Sequence, residues 1–270
     1  MTRPLAALFL AVLPAALIAQ DDRILLVDGT KIEKVRVNSF DIRSLRYTKG
    51  GNSETVASDR VLKVEPAEFK DVYRRGLRDP GIMLTVAQDQ LQQKNLLLAQ
   101  LGFVQAAAQF FDAGMAPEAV NALEELAKGI PEAGVLPEVY RQKFEYSMGL
   151  GAKGVANALT VAKKYQNDAI GGAWPDGFAT EAEFYVALAE RSSPQEFQNK
   201  LRGIVNKARS TAPMIANRAN VQLAHSLREN GDPTAAQRIY EDVIGKANAD
   251  DSSRAGAYLG LGKIQLEQAG

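Results

Sequence analysis

Apolar and polar positions alternate with a period of two from about residue 23 to about residue 65, and the period then lengthens to about 3.6. In "RILLVDGTKIEKVRVNSF" a short apolar strand runs into Asp28-Gly29, a pair that favours a tight hairpin turn. The strand after it carries Ile32, Val35 and Val37 roughly two residues apart. "SLRYTKGGNSETVASDRVLKVEP" repeats the plan, with Gly50-Gly51-Asn52 as the turn and two short strands ending at Pro66. Five short strands in about 45 residues would leave edges and one face open if they lay flat, so the pattern predicts a small β-barrel over 21–66. From Glu68 onward, segments rich in Ala, Leu, Gln and Glu are punctuated at "RDPG", "GIPEAG", "GGAWPDG", "RSSPQ" and "ENGDP". That predicts helices over 67–270. The expected fold class is multidomain, a small all-β barrel followed by an all-α array.

A longer register runs through the helical part. Gly114 is followed by Ala119, Leu123, Leu126 and Pro131, at offsets of five, nine, twelve and seventeen. Gly231 is followed by Ala236, Tyr240 and Val243 at the first three of these offsets. "QKFEYSMGLGAKGVANALTVAKKYQ" repeats the glycine and alanine at Gly151 and Ala156, but places Thr160 where a large apolar residue is expected. "EAEFYVALAERSSPQEFQNKLRGIVNKA" reads as a hairpin with Pro194 in the first turn of its second helix, and it lacks the glycine. This register resembles the tetratricopeptide (TPR) repeat. The resemblance implies four helical hairpins, an opening helix around Thr85 to Asp112, and a closing half repeat, stacked as a curved α-solenoid. The segment before it resembles the SH3-like or Sm-like small barrels that often follow the leader of exported bacterial proteins. The likeness rests on the Asp28-Gly29 turn, the Tyr47 strand with its glycine turn, and the closing Val61, Val64 and Glu65.

The first twenty residues, "MTRPLAALFLAVLPAALIAQ", fit neither pattern. One basic residue, Arg3, precedes an apolar run from Leu5 to Ile18, and the small residue Ala19 follows. That order is a signal peptide over 1–19, and the run is short of the ~20 apolar residues that span a bilayer. The expected location is outside the cytoplasm, in the periplasm, the cell envelope or secreted, with no membrane span after leader cleavage. The chain contains no cysteine, so neither disulfides nor thiolate metal sites can stabilise it.

Charge narrows the partner classes. Lys+Arg and Asp+Glu each total 32, so no overall field draws the chain to nucleic acid. Arg43, Arg46 and Lys49 flank Tyr47, but Asp41, Glu54 and Asp59 balance them, and a solvated strand face is expected.

Candidate chemistry is sparse. His225 is the only histidine, and no nucleophile-elbow, metalloprotease, phosphate-loop or dinucleotide motif appears. No catalytic, metal or cofactor site is therefore predicted. Trp174, the only tryptophan, lies between glycines in "GGAWPDG", where an aromatic can anchor a partner. The TPR resemblance implies an inner groove lined in one repeat by Arg218, Val221, His225 and Arg228, and in the last helix by Leu259, Lys263 and Leu266. Arg218, Arg228 and Lys263, with His225 between them, would form a basic patch suited to a protein partner with an acidic or carboxylate-bearing segment. The closing "AGAYLGLGKIQLEQAG" lacks a covering second helix. Its Tyr258, Leu259, Leu261, Ile264 and Leu266 are expected to form an association surface, for instance in a homodimer. The functional expectation is a non-catalytic exported scaffold or adaptor of a cell-envelope assembly. The alternative is a barrel that binds an envelope polysaccharide, with the helices as spacer or oligomeriser.

Overall fold

The computed structural model describes residues 22–190 and 193–269. The expected leader over 1–19 lies outside them, as does part of the "RSSPQ" turn. Strands β1 (Asp22–Leu26), β2 (Lys31–Phe40), β3 (Ser44–Lys49), β4 (Asn52–Ala57) and β5 (Val61–Glu65) fall where the alternation sets them. Gly29, Gly50 and Gly51 take the left-handed backbone that their tight turns need.

The strands pair antiparallel in the order β4-β3-β2-β1-β5. β4 and β5 lie at opposite ends and do not bond each other, so the sheet is open. The expected SH3-like or Sm-like barrel is corrected accordingly. Register shifts within the β1–β2, β1–β5 and β2–β3 pairings mark bulges or irregularities, which locally bend strands. Its own core comprises Ile24, Val35, Val37, Leu45, Tyr47 and Val64. The sheet instead keeps its open edges and meets the helical region through Ile42 and Leu97.

That region consists of a short turn, α1 (Phe69–Val72), and ten longer helices. They are α2 (Pro80–Gln92), α3 (Leu96–Asp112), α4 (Ala116–Gly129), α5 (Leu136–Gly149), α6 (Val155–Gly171), α7 (Asp176–Ala189), α8 (Pro194–Thr211), α9 (Pro213–Glu229), α10 (Pro233–Gly245) and α11 (Asp251–Ala269). Their starts follow capping chemistry. The Asp79 carboxylate accepts the Gly81 and Ile82 N–H groups, Asp232 accepts that of Ala235, and Ser193 and Glu196 form a reciprocal capping box before Pro194. The expected opening helix is in fact two, α2 and α3, separated at Lys94, whose φ of 62° reverses the chain. No glycine or proline marks that break.

Consecutive helices pack on one another, and α3, α5, α7, α9 and α11 also touch their next-but-one neighbours. The small residues Ala119 and Ala236 are fully buried, as are Leu123 and Tyr240. A Cβ at Gly260 would lie 2.2 Å from the Tyr240 ring, so α11 can approach only because glycine is there. This is a helical region with consecutive-helix packing. The packing does not by itself establish a TPR repeat unit, and the expected TPR solenoid is corrected to that coarser description. No helix among the described residues is long and apolar enough to cross a membrane.

Candidate binding cleft between sheet and helices

The sheet is fixed to the helices at the β2–β3 turn. Ile42, 2% exposed, inserts into the helical core, and its N–H donates to the Glu132 carbonyl over 2.9 Å. The Gln100 amide donates to the Phe40 carbonyl and accepts the Val135 N–H, at 3.0 and 3.3 Å. At Gly134 an added Cβ would stand 2.4 Å from the Phe40 ring, so this contact requires glycine. Farther along, the Gly177 N–H at the start of α7 donates to Asp59 over 3.1 Å.

These attachments hold β5 beside the helices without filling the space between them. β5 is bonded on one side only, by β1. All five of its residues, Val61 to Glu65, line a cleft of about 470 Å³ whose far wall includes Leu101 and Val104 of α3, Pro137 of α5 and Phe178 of α7. Successive side chains of a strand point to opposite faces, so a space lined by all five lies along the strand's edge. An adjoining cleft of about 280 Å³ shares Val61, Leu62, Glu138, Arg141 and Phe178 with the first. Its charged lining is Asp59, Glu138, Glu145 and Glu181 against Arg141 and Arg218. A third cleft of about 690 Å³ opens beside β2, but there both Asp22 oxygens accept backbone N–H groups, from Val37 and Ala67.

Most charges of the second cleft are matched. Arg141 donates two hydrogen bonds to Glu181, at 2.7 and 2.8 Å, and one to Glu138 at 3.0 Å. The Tyr165 hydroxyl donates to Glu181 over 2.9 Å, and burial followed by the Glu181 charge holds the Tyr165 pKa well above its usual value. Burial opposes the Arg141 charge, but the Glu181 carboxylate more than offsets it and raises the guanidinium pKa further. Arg218 pairs with Asp250 at 3.3 Å. Among the described residues no ion pair engages Glu145 or Asp59. Burial lifts both carboxyls above their ordinary range, with Glu138 adding to the effect at Glu145 and Arg60 opposing it at Asp59. The Tyr185 hydroxyl, buried and without a hydrogen-bond partner among the described residues, feels Glu181, Arg141, Arg218 and Glu145.

The residues singled out from sequence separate into different settings. Arg218 lines the charged cleft. Arg228 is 9% exposed and bonds Glu267 and Glu229, so both arginines of the expected basic patch are already engaged by this chain's own carboxylates. His225 is half-buried and hydrogen-bonded through Nδ1 to the Tyr240 hydroxyl, and burial lowers its pKa. Lys263 is exposed on α11. Trp174 packs among Tyr140, Tyr165 and Phe178, with ring centroids 6.1–6.3 Å away. On α11, Ile264 is 2% exposed and Leu261 packs on the core formed with α9 and α10, whereas Tyr258, Leu259 and Leu266 are 60%, 59% and 75% exposed.

Sequence reasoning missed the cleft's charged group. One signal was present: Glu138, Arg141 and Glu145 recur at spacings of three and four, one face of a helix, and Glu181 interrupts the apolar run of "ATEAEFYVALA".

No protein-family model, curated protein or solved structure matches this chain. The TPR and SH3-like or Sm-like identities therefore do not stand. The offsets that suggested the TPR repeat have a local cause. A left-handed glycine ends a helix, and small residues let the next one approach closely, as any tight helical hairpin requires.

Proposed function

We propose that the protein is a non-catalytic, exported scaffold or adaptor of the cell envelope that captures a protein partner in the cleft between its sheet and its helices. The observation that carries this reading is the open edge of β5 facing an apolar helical wall, because unpaired strand edges pair readily with other chains. The matched Arg141–Glu181–Tyr165 set supports a positioning role for the charged wall. Export rests on the leader pattern of residues 1–19.

The test is selection of a displayed library of linear peptides on the full chain. Enriched peptides should lose binding to Leu62→Glu, a change at a half-exposed cleft residue, and keep it to Leu266→Glu on the remote α11. Peptides that bind all three proteins alike, or no enrichment, reject the reading. For export, a reporter active only outside the cytoplasm, fused after residue 21, should become active.

A second copy of the chain is the proposed occupant of the exposed Tyr258, Leu259 and Leu266 face. Sedimentation should show association that Leu259→Glu with Leu266→Glu abolishes, and a monomer at every concentration rejects it.

A further inference from the structure

The proposed function leaves open what kind of segment the cleft accepts. Its two ends differ. Beside β5 the wall carries Leu101, Val104 and Phe178 opposite Leu62, which is 47% exposed, with Lys70 and the paired Lys63 and Glu65 at its margin. Beyond Val61 it becomes acidic: four carboxyls face two guanidiniums. Arg141 is spent on Glu181 and Glu138, and Arg218 is shared with Asp250. Asp59 and Glu145 line this end without an ion pair among the described residues, Asp59 accepting only the Gly177 N–H. At this end an anionic segment would meet these two with both guanidiniums already engaged, whereas a cation would be matched on arrival; Lys70, which has no ion pair among the described residues, lines the β5 end instead.

The backbone requirement is independent of the charge. β5 offers five residues with one edge unpaired, about 17 Å of strand. Only an extended chain presents N–H and C=O groups at the spacing that such an edge can bond.

We infer that the cleft takes an extended, basic peptide segment of a partner protein, which adds a strand to the free edge of β5 and sets a lysine or arginine against Asp59 and Glu145. The inference rests on the proposed capture of a protein in this cleft and names the chemistry of what is captured. The strand addition supplies affinity without regard to sequence, and the carboxyl pair selects the charge. Apolar side chains on the peptide's other positions meet Leu62 and Val104. The segment inferred for this cleft is opposite in sign to the one expected for the Arg218–Arg228 patch.

Three fluorescent six-residue peptides test it on the full chain by polarisation. One alternates valine and lysine. The second replaces lysine by glutamate. The third keeps the lysines but carries backbone N-methyl groups at alternate positions, so that it cannot bond a strand edge. The first peptide should bind, weaken as salt rises, and bind roughly tenfold more weakly to Glu145→Gln and to Asp59→Asn. The second and third should bind at least about tenfold more weakly than the first. Thermal melts of both variants establish that they are folded. Equal binding by the glutamate peptide overturns the charge assignment, and equal binding by the N-methylated peptide overturns the strand addition. In either case capture in the cleft survives if Leu62→Glu abolishes it. Failure of all three peptides to bind overturns the inference, and the displayed library then decides the wider reading.

Discussion

Glu181 is 3% exposed on α7, with its carboxylate divided between Arg141 and the Tyr165 hydroxyl. A buried carboxylate tolerates this position only while its charge is answered. Replacing Arg141 by Met leaves the carboxylate with a single neutral donor, and the chain should lose about 3–5 kcal/mol by urea unfolding near pH 7. Glu145 has no ion pair among the described residues. Burial raises its folded-state pKa above the ordinary 4.5, so over the window above that value the folded chain holds a proton that the unfolded chain has released. Stability is full below the unfolded pKa and falls as pH rises through the folded one. Glu145→Gln should therefore raise the melting temperature at about pH 7 and leave it unchanged near about pH 3.5. An equal shift at both pH values would refute the assignment. A carboxyl kept where it opposes folding fits one retained for binding.

Among the elements, α11 shows how a helical pattern can mislead about a face. Leu261, Ile264 and Leu266 are all apolar and close in sequence, yet only the first two turn toward α9 and α10. Ile264→Ala should cost about 2–5 kcal/mol and Leu266→Ala no more than about 0.5 kcal/mol, compared in one urea series. Equal losses would mean that α11 sits on its neighbours by the other face. β5 carries a similar lesson. Its alternation identified a strand, but whether its outer edge is sealed depends on where β4 lies, four strands away in the sheet. The break between α2 and α3 was illegible for a simpler reason. "QLQQKNLLLAQ" contains only residues compatible with a helix, and the reversal is made by Lys94 in a conformation that ordinary side chains seldom adopt.

For the whole molecule, the sheet and helices share their cores. Ile42 belongs to the helical cluster, and Leu97 of α3 packs against the sheet's cluster. A sheet held in this way should not unfold alone. Trp174, the only tryptophan, lies in the helical region and packs against that core, so its fluorescence reports the helices. Leu45→Ala, fully buried in the sheet, should cost about 2–5 kcal/mol and lower the midpoint of the Trp174 transition in step with far-UV circular dichroism. An unmoved Trp174 transition would mean that the sheet melts as a separate unit. The cleft depends on the same coupling, since one wall belongs to β5 and the other to α3, α5, α7 and α9.

Local chemistry determined where this chain makes strands and most of its helices, the break at Lys94 excepted. The period of two before Pro66, the left-handed glycines at 29, 50, 51, 114 and 231, and the caps and prolines at helix starts act within a few residues of one another. Such short-range constraints are written directly into the order of residues. Tertiary structure decided the rest. Arg141 meets Glu181 across 40 positions, and Asp59 meets Gly177 across 118. Whether a charge is free or paired, and whether an edge is open or covered, depends on which distant segments the folded core brings together. For that reason Arg218 and Arg228, expected to line a basic groove, are engaged by Asp250, Glu229 and Glu267, and Arg218 shares a cleft with Asp59 and Glu145.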